Sequence, residues 1–278
     1  MPLYEIQAFL AQLYTSADLR ASFRRAPKIT LEKFGLTEEE SKNLRRLNLK
    51  KVDFFADSLI NKRLKLVKSA IPATCTLIKD ELRSIFTAFC EEYPLSQRLT
   101  GEEDGFDFLS FLNSSCRKIS KQIPYAKNIR TYDYTRLRLL TTCSGQSTQV
   151  CQQLNLTQDD NWRGHQPIII PYLDIKQFEY PVDRIIPQLI DDKIPELKPE
   201  STWILFVRSP ESQHVLTKRI KYSTQLLIGL CQNGETVGTV LDKLACTLKV
   251  PSKQQLAFET ECYSFLNALA KEGIVAFI

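Results

Sequence analysis

Two alternating runs with a turn between them constrain this chain more than any other feature. Thr202, Ile204 and Phe206 alternate with Trp203, Leu205 and Val207, and Val215 to Ile220 alternates again after Arg208-Ser209-Pro210-Glu211-Ser212. A period of two, broken by a Ser-Pro turn, is the pattern of an antiparallel hairpin. Three helical segments follow the hairpin. Ser223 is placed to cap a helix over 224–232, which stops at Asn233-Gly234. Thr236 is placed to cap a helix over 237–248, stopping before Pro251. Ser252 is placed to cap a long helix ending at Lys271-Glu272, where Gly273 is free to take the left-handed closing conformation. The tail, 274–278, reads as a short last strand.

A hairpin followed by three helices describes a winged-helix-like module. Within it, Phe258, Cys262, Phe265, Leu266 and Leu269 recur at helical spacing. Leu226-Leu227, Gly234-Glu235-Thr236-Val237, Phe258, Glu261-Cys262, Phe265-Leu266, Leu269 and Gly273-Ile274 resemble the small peptide-recognition domain of ribosomal-peptide modifying systems. That resemblance implies a domain that holds the leader of a precursor peptide.

The first half reads differently. Leu3, Ile6, Phe9-Leu10 and Leu13-Tyr14 share one helical face, and Ser16 caps a short helix through Phe23. Thr37 with Glu40 forms a capping box for a helix to Leu47. A long amphipathic helix runs from Val52 through Leu66, broken at Pro72. Further helices are expected over 77–93, 106–119 and 132–140, with a turn at Gly101 to Gly105, although the acidic run Glu102-Glu103-Asp104 is itself a helix-start signal. The fold class expected is therefore α+β: an all-helical bundle over 1–141, a hydrophilic linker over 142–166, and the winged-helix-like domain over 167–278. Short strands at 168–170 and 178–181 and a helix over 182–190 are placed in the second domain.

Phe9-Leu10, Leu13-Tyr14, Asp18-Leu19-Arg20, Phe23, Phe34-Gly35-Leu36-Thr37 and Lys62-Arg63-Leu64 followed by Pro72 resemble a helical domain found in partner proteins of multinuclear non-haem iron oxidases, the methanobactin-oxidase partner subunit among them. Tyr132-Asp133-Tyr134 departs from that family, which has an aromatic followed by Glu. The resemblance implies a heterodimer with an iron oxidase, with the iron belonging to the enzyme.

Charge is uneven along the chain. Residues 1–140 carry 24 Lys and Arg against 17 Asp and Glu, whereas 141–278 carry 13 against 15. Arg45, Arg46, Lys62, Arg63 and Lys65 belong to a basic run that reads as a solvated face, a surface for an acidic protein partner, or a phosphate contact. Lys62 and Lys65, three apart, share a face. Aromatics do not interleave with these charges as a single-strand stacking platform requires.

Motifs for catalysis are absent from the sequence. There is no Gly-x-Gly-x-x-Gly loop, no Gly-Lys-Ser/Thr loop and no Gly-x-Ser-x-Gly elbow. His165 and His214, the two histidines, sit in polar segments and are expected to be exposed. Asp159-Asp160 and Asp191-Asp192 are adjacent pairs, whose side chains diverge. The eight cysteines form no Cys-x-x-Cys pair and read as buried thiols, except that Cys143 and Cys151 flank a polar loop, where a redox or metal role is the alternative. No catalytic residue, metal ligand or cofactor is expected. No apolar run approaches the roughly 20 residues of a membrane span, and the start has no secretory pattern, so a cytoplasmic protein is expected.

The candidate binding residues lie on the hairpin. Val215, Leu216, Thr217, Lys218, Arg219 and Ile220 form a strand that either ends the sheet as an ordinary wing, its cations guarding the edge, or accepts an incoming peptide strand. Phe258 and Glu261 are the expected edge of a cleft beside the third helix, and Lys218, Arg219 and Lys221 the expected attraction for acidic peptide residues. The competing reading is a DNA-binding regulator. It is weakened by the third helix, where Lys253 and Lys271 face Glu259, Glu261 and Glu272.

Overall fold

In the computed structural model, residues 2–94, 100–115, 123–141, 161–169, 172–208 and 214–278 are described. The chain is α+β and divides into two compact units, 1–126 and 127–278. Cys116, Cys143, Cys151, the loop 144–148, Asp159-Asp160 and the hairpin turn 209–213 lie outside the described residues.

The first unit is helical. Its elements are α1 (Pro2–Thr15), α2 (Ala17–Arg25), α3 (Pro27–Glu32), α4 (Glu38–Leu44), α5 (Leu49–Ala70), α6 (Pro72–Leu77), α7 (Leu82–Glu92) and α8 (Gly101–Ser115). Caps set several of these boundaries. The Ser16 hydroxyl accepts from the Leu19 amide, and Thr37 and Glu40 bond each other's backbone amides as a capping box. Each such cap is worth about 1 kcal/mol. α5 stops at Ala70 because Pro72 disfavours helical backbone at Ile71, which takes φ −130° and ψ 61°. Gly101 to Gly105, expected as a turn, is the first turn of α8. Thr100 and Glu103 form a second reciprocal box there: the Glu103 carboxylate accepts from the Thr100 amide at 2.8 Å, and the Thr100 hydroxyl accepts from the Glu103 amide at 3.2 Å. The helix expected over 77–93 is the shorter α7: Leu77 closes α6, and a turn over 78–81 separates the two.

Two aromatic clusters fill this unit. Phe9 and Leu13 pack with Phe23, Leu31, Leu44 and Val52, and Phe9 meets Phe23 and Phe34 edge-on at 5.2 and 5.0 Å. Phe86, Phe89, Phe108 and Phe111 form the other, with Phe86 and Phe108 at 5.1 Å. Edge-on pairs of this kind add to the gain from burial alone.

Beside the second cluster lies a buried ion pair. Arg63 donates through Nε and Nη2 to both carboxylate oxygens of Asp104, at 2.7 and 2.6 Å, and through Nη1 to the Tyr93 carbonyl at 2.7 Å. Its guanidinium lies 4.8 Å from the Phe89 ring centroid. Side-chain exposures of 5% and 3% place both charges out of water. Arg63, expected on the partner-binding surface, is therefore a core residue.

The second unit begins with α9 (Ala126–Thr141), which was expected to close the bundle. Its contacts explain the different boundary. The Tyr132 hydroxyl pairs with the Thr217 hydroxyl at 3.2 Å, the Asn128 side chain accepts from the Glu179 amide at 2.9 Å, and Arg138 pairs with Asp174. Strands β1 (Pro167–Ile169) and β2 (Leu173–Phe178), helix α10 (Val182–Ile190) and strands β3 (Thr202–Arg208) and β4 (Val215–Ile220) follow. Helices α11 (Tyr222–Cys231), α12 (Val237–Leu248) and α13 (Gln255–Lys271) and strand β5 (Val275–Phe277) complete the chain.

β2, β3 and β4 form an antiparallel sheet in that order. Register places Leu205 opposite Lys218 and Phe206 opposite Thr217, and opposed residues share a face. On one face, Leu205 and Val207 join Leu227, Val240, Leu241, Leu244, Cys262 and Leu266 in a core with the three last helices. On the other, Phe206 meets Tyr132 at 5.2 Å and Phe178 at 6.3 Å. β3 is thus covered on both sides, which explains its near-continuous apolar run.

The segment 161–169, whose first residues were assigned to the linker, is part of this core. Trp162 stands edge-on to Tyr263 at 4.7 Å, and Arg163 pairs with Asp242 and Glu259, both at 2.7 Å. β1 pairs with β5, and Gln166 and Ile278 exchange backbone bonds of 2.8 and 3.1 Å. Gly238 allows the approach: a Cβ there would stand 3.2 Å from the Arg163 carbonyl oxygen.

Local signals differ in outcome. Thr236 caps α12, Gly234 takes φ +74° and Gly273 φ +69°. Ser223 and Ser252 do not cap: α11 starts at Tyr222 directly after β4, and Ser252–Gln254 is a short 3₁₀ turn ahead of α13. No described helix is long and apolar enough to cross a membrane.

Arg63→Met is expected to destabilise the first unit by about 3–5 kcal/mol, because Asp104 would stay buried and uncompensated. Arg63→Met with Asp104→Leu should recover most of that loss. Denaturant midpoints of the full-length variants read both outcomes.

Candidate functional site

β4 has β3 on one side, and its other edge pairs with no described strand. Such an edge presents a row of backbone donors and acceptors to whatever approaches. A groove with a volume of about 500 Å³ lies along it, between β4 and α13. The groove is lined by Leu205, Leu227, Leu244, Leu248, Phe265 and Leu269, with Lys218, Ile220 and Lys221 on the strand side and Glu261 and Glu272 on the helix side. A second, smaller hollow of about 330 Å³ shares Leu248, Val250, Phe258 and Glu261 with it and continues past Pro251.

The strand's alternation sorts the expected binding residues. Lys218 and Ile220 share the face of Leu205 and Trp203, toward the groove. Leu216 shares that face opposite Val207 and is 68% exposed, an unusual state for a leucine on an edge strand. Phe258 and Glu261 line the groove from α13. Val215 is half-buried at the start of the strand.

Thr217 and Arg219 point to the opposite face. Thr217 bonds Tyr132, while Arg219 pairs with Glu200 and, at 3.6 Å, with Asp183. Arg219 reaches the groove only as part of its rim, and its charge is already met. The attraction for acidic groups expected of Arg219 thus falls to Lys218 and Lys221.

Burial makes the groove floor a poor medium for charge. It pushes the Cys262 thiol up to about 11, with Glu261 and Glu259 adding to the effect. Cys231, behind it, is pushed up to about 12 by burial and then by Cys262. An apolar, dry floor under an open strand edge suits alternate apolar side chains of an extended chain.

Sequence reasoning found the strand and two residues of α13 but not the floor. Leu205, Leu227, Leu244 and Leu248 come from three elements, β3, α11 and α12, and only the tertiary fold brings them together. Glu259, counted against DNA binding, is held by Arg163.

The basic run divides in the same way. Arg45, Arg46, Lys62 and Lys65 are exposed, while Arg63 is buried. His214 is exposed and His165 half-buried, its carbonyl accepting from the Val237 amide at 2.8 Å. Among the described residues, no three His, Cys, Asp or Glu side chains gather as metal ligands. No protein-family model matches the chain, and no curated protein matches it.

Both folded thiol values stand above the ordinary 9.0 of a cysteine, so burial keeps the proton on. At pH 8, iodoacetamide should label exposed Cys246 and spare Cys231 and Cys262, as read by peptide mass mapping. The same shifts make the second unit's stability full below about pH 9 and falling as pH rises toward the folded-state values.

Proposed function

We propose that this protein is a non-catalytic adaptor that binds the leader of a ribosomally made precursor peptide and presents it to an iron-dependent modifying oxidase. The observation that carries the reading is the coincidence of a strand edge that pairs with no described strand and an apolar groove along the same strand. An extended peptide adding to β4 satisfies its backbone through the sheet. Its side chains alternate, so every second one enters the groove against Ile220, Phe258 and Phe265. Lys218 and Lys221 meet acidic groups on the peptide's strand-side flank, and Glu261 and Glu272 meet basic groups on the helix side.

The β3–β4 hairpin with α11 to α13 is read as a winged-helix-like module, and the sequence resemblance supplies the precursor leader as occupant. The helical unit is read as the part that docks the oxidase. The iron belongs to that enzyme. What this chain contributes is position: holding the leader raises the effective concentration of the core peptide at the enzyme's reacting centre, to the millimolar range typical of short flexible tethers.

The test uses the full chain, co-expressed with an iron oxidase and a short peptide encoded beside it, and then the synthetic leader in fluorescence anisotropy. A complex should form and the peptide's mass should change. N-methylation of alternate leader amides should weaken binding by roughly tenfold or more, since it removes strand donors. Lys218→Glu should weaken it several-fold at low salt. Equal binding of the methylated leader would overturn strand addition. Absence of peptide binding together with salt-sensitive binding of duplex DNA would replace the adaptor by a regulator.

A further inference from the structure

The outward face of α5 holds a feature the peptide groove does not use. Phe54 is 77% exposed in the second turn of α5. Its neighbour Phe55 is also partly exposed but packs against Tyr14, with ring centroids 4.5 Å apart and the rings tilted by 58°. Phe54 has no such partner ring among the described aromatic pairs. At helical spacing, Lys50 and Lys51 precede it by one turn, and Lys65 and Lys68 follow on the same side, with Lys62 at the flank.

Among the described residues these cations have no ion-pair partner. The aspartates of the same helix are engaged by arginines of other helices: Asp53 by Arg24 at 2.6 Å and Asp57 by Arg83 at 3.1 Å. No ion pair of the described residues involves Lys50, Lys51, Lys62, Lys65 or Lys68. Lys50 and Lys51 also stand in the first turn, where the helix dipole favours carboxylates. The arrangement works against the helix's own stability and leaves positive charge for something outside it.

We infer that the outward face of α5 is the docking surface for an acidic protein partner, with Phe54 as the apolar anchor and the lysines as its charged surround. An exposed aromatic with Lys50 and Lys51 beside it and further cations along the same face has the composition of an interface centre with a polar rim. Phosphate binding would use the lysines but has no use for Phe54. A membrane surface would need more apolar area than this face has, because Ser58, Asn61 and Ser69 share it. A second copy joined through the same face would set lysine against lysine. The surface is separate from β4 and stands or falls independently of the peptide reading.

The test selects random 16-residue peptides displayed on phage against the full chain and measures the best synthetic peptide by anisotropy. Selected peptides should carry Asp or Glu around apolar residues. Phe54→Ala should weaken them roughly tenfold. Lys51→Glu with Lys65→Glu should weaken them roughly thirtyfold and flatten the salt dependence. Lys218→Glu should leave them unchanged, which separates this surface from the groove. Thermal melts check that the variants stay folded, as their exposure leads one to expect. Failure to enrich acidic peptides, or enriched peptides indifferent to Phe54 and the lysines, would overturn the inference. So would Phe54-dependent capture of phosphatidylglycerol vesicles, or duplex DNA binding that needs the lysines but not Phe54.

Discussion

A strand covered on both faces has to be flanked in its own plane, and β3 sets that requirement for the second unit. Leu205 and Val207 look one way into the three-helix core, and Ile204 and Phe206 the other way toward α9 and β2's Phe178. Its backbone is satisfied by β2 and β4 together. Once β3 is fixed, β4 becomes an outer strand by necessity. The helices that bury one face of β3 also build the far wall of the groove. Edge and groove are two results of one packing arrangement.

Several short-range signals were legible in the sequence because the physics behind them is local. The Ser16, Thr37–Glu40 and Thr236 caps need only a side chain and an amide three residues on. The two runs of period two gave both hairpin strands and the outer position of β4. Ser223 and Ser252 failed as caps because competing local structure took their place: β4 runs almost directly into α11, and a 3₁₀ turn precedes α13.

Long-range choices were not legible. Arg63 looked like its neighbours Lys62 and Lys65, but the helix turns it inward to a carboxylate 41 residues away. Arg219 looked like Lys218, yet alternation sends it to Glu200 on the opposite face. α9 looked like one more bundle helix, and only its bonds to Thr217 and Glu179 assign it to the sheet. Exposure of Phe54 was equally hidden, since an amphipathic pattern with two adjacent phenylalanines does not say which one faces inward.

The clasp at 161–169 bears on where this chain can be cut. Polar composition marks 142–166 as connection, which would make a cut just before residue 167 harmless. Such a cut would remove Trp162 from Tyr263 and the cation that ties Asp242 on α12 to Glu259 on α13. It would also take away the His165 carbonyl that receives the first amide of α12. The smallest piece that gene fusion or shuffling can move intact therefore starts ahead of α9, whose Tyr132 covers Phe206, and carries with it the stretch whose composition marks it as dispensable.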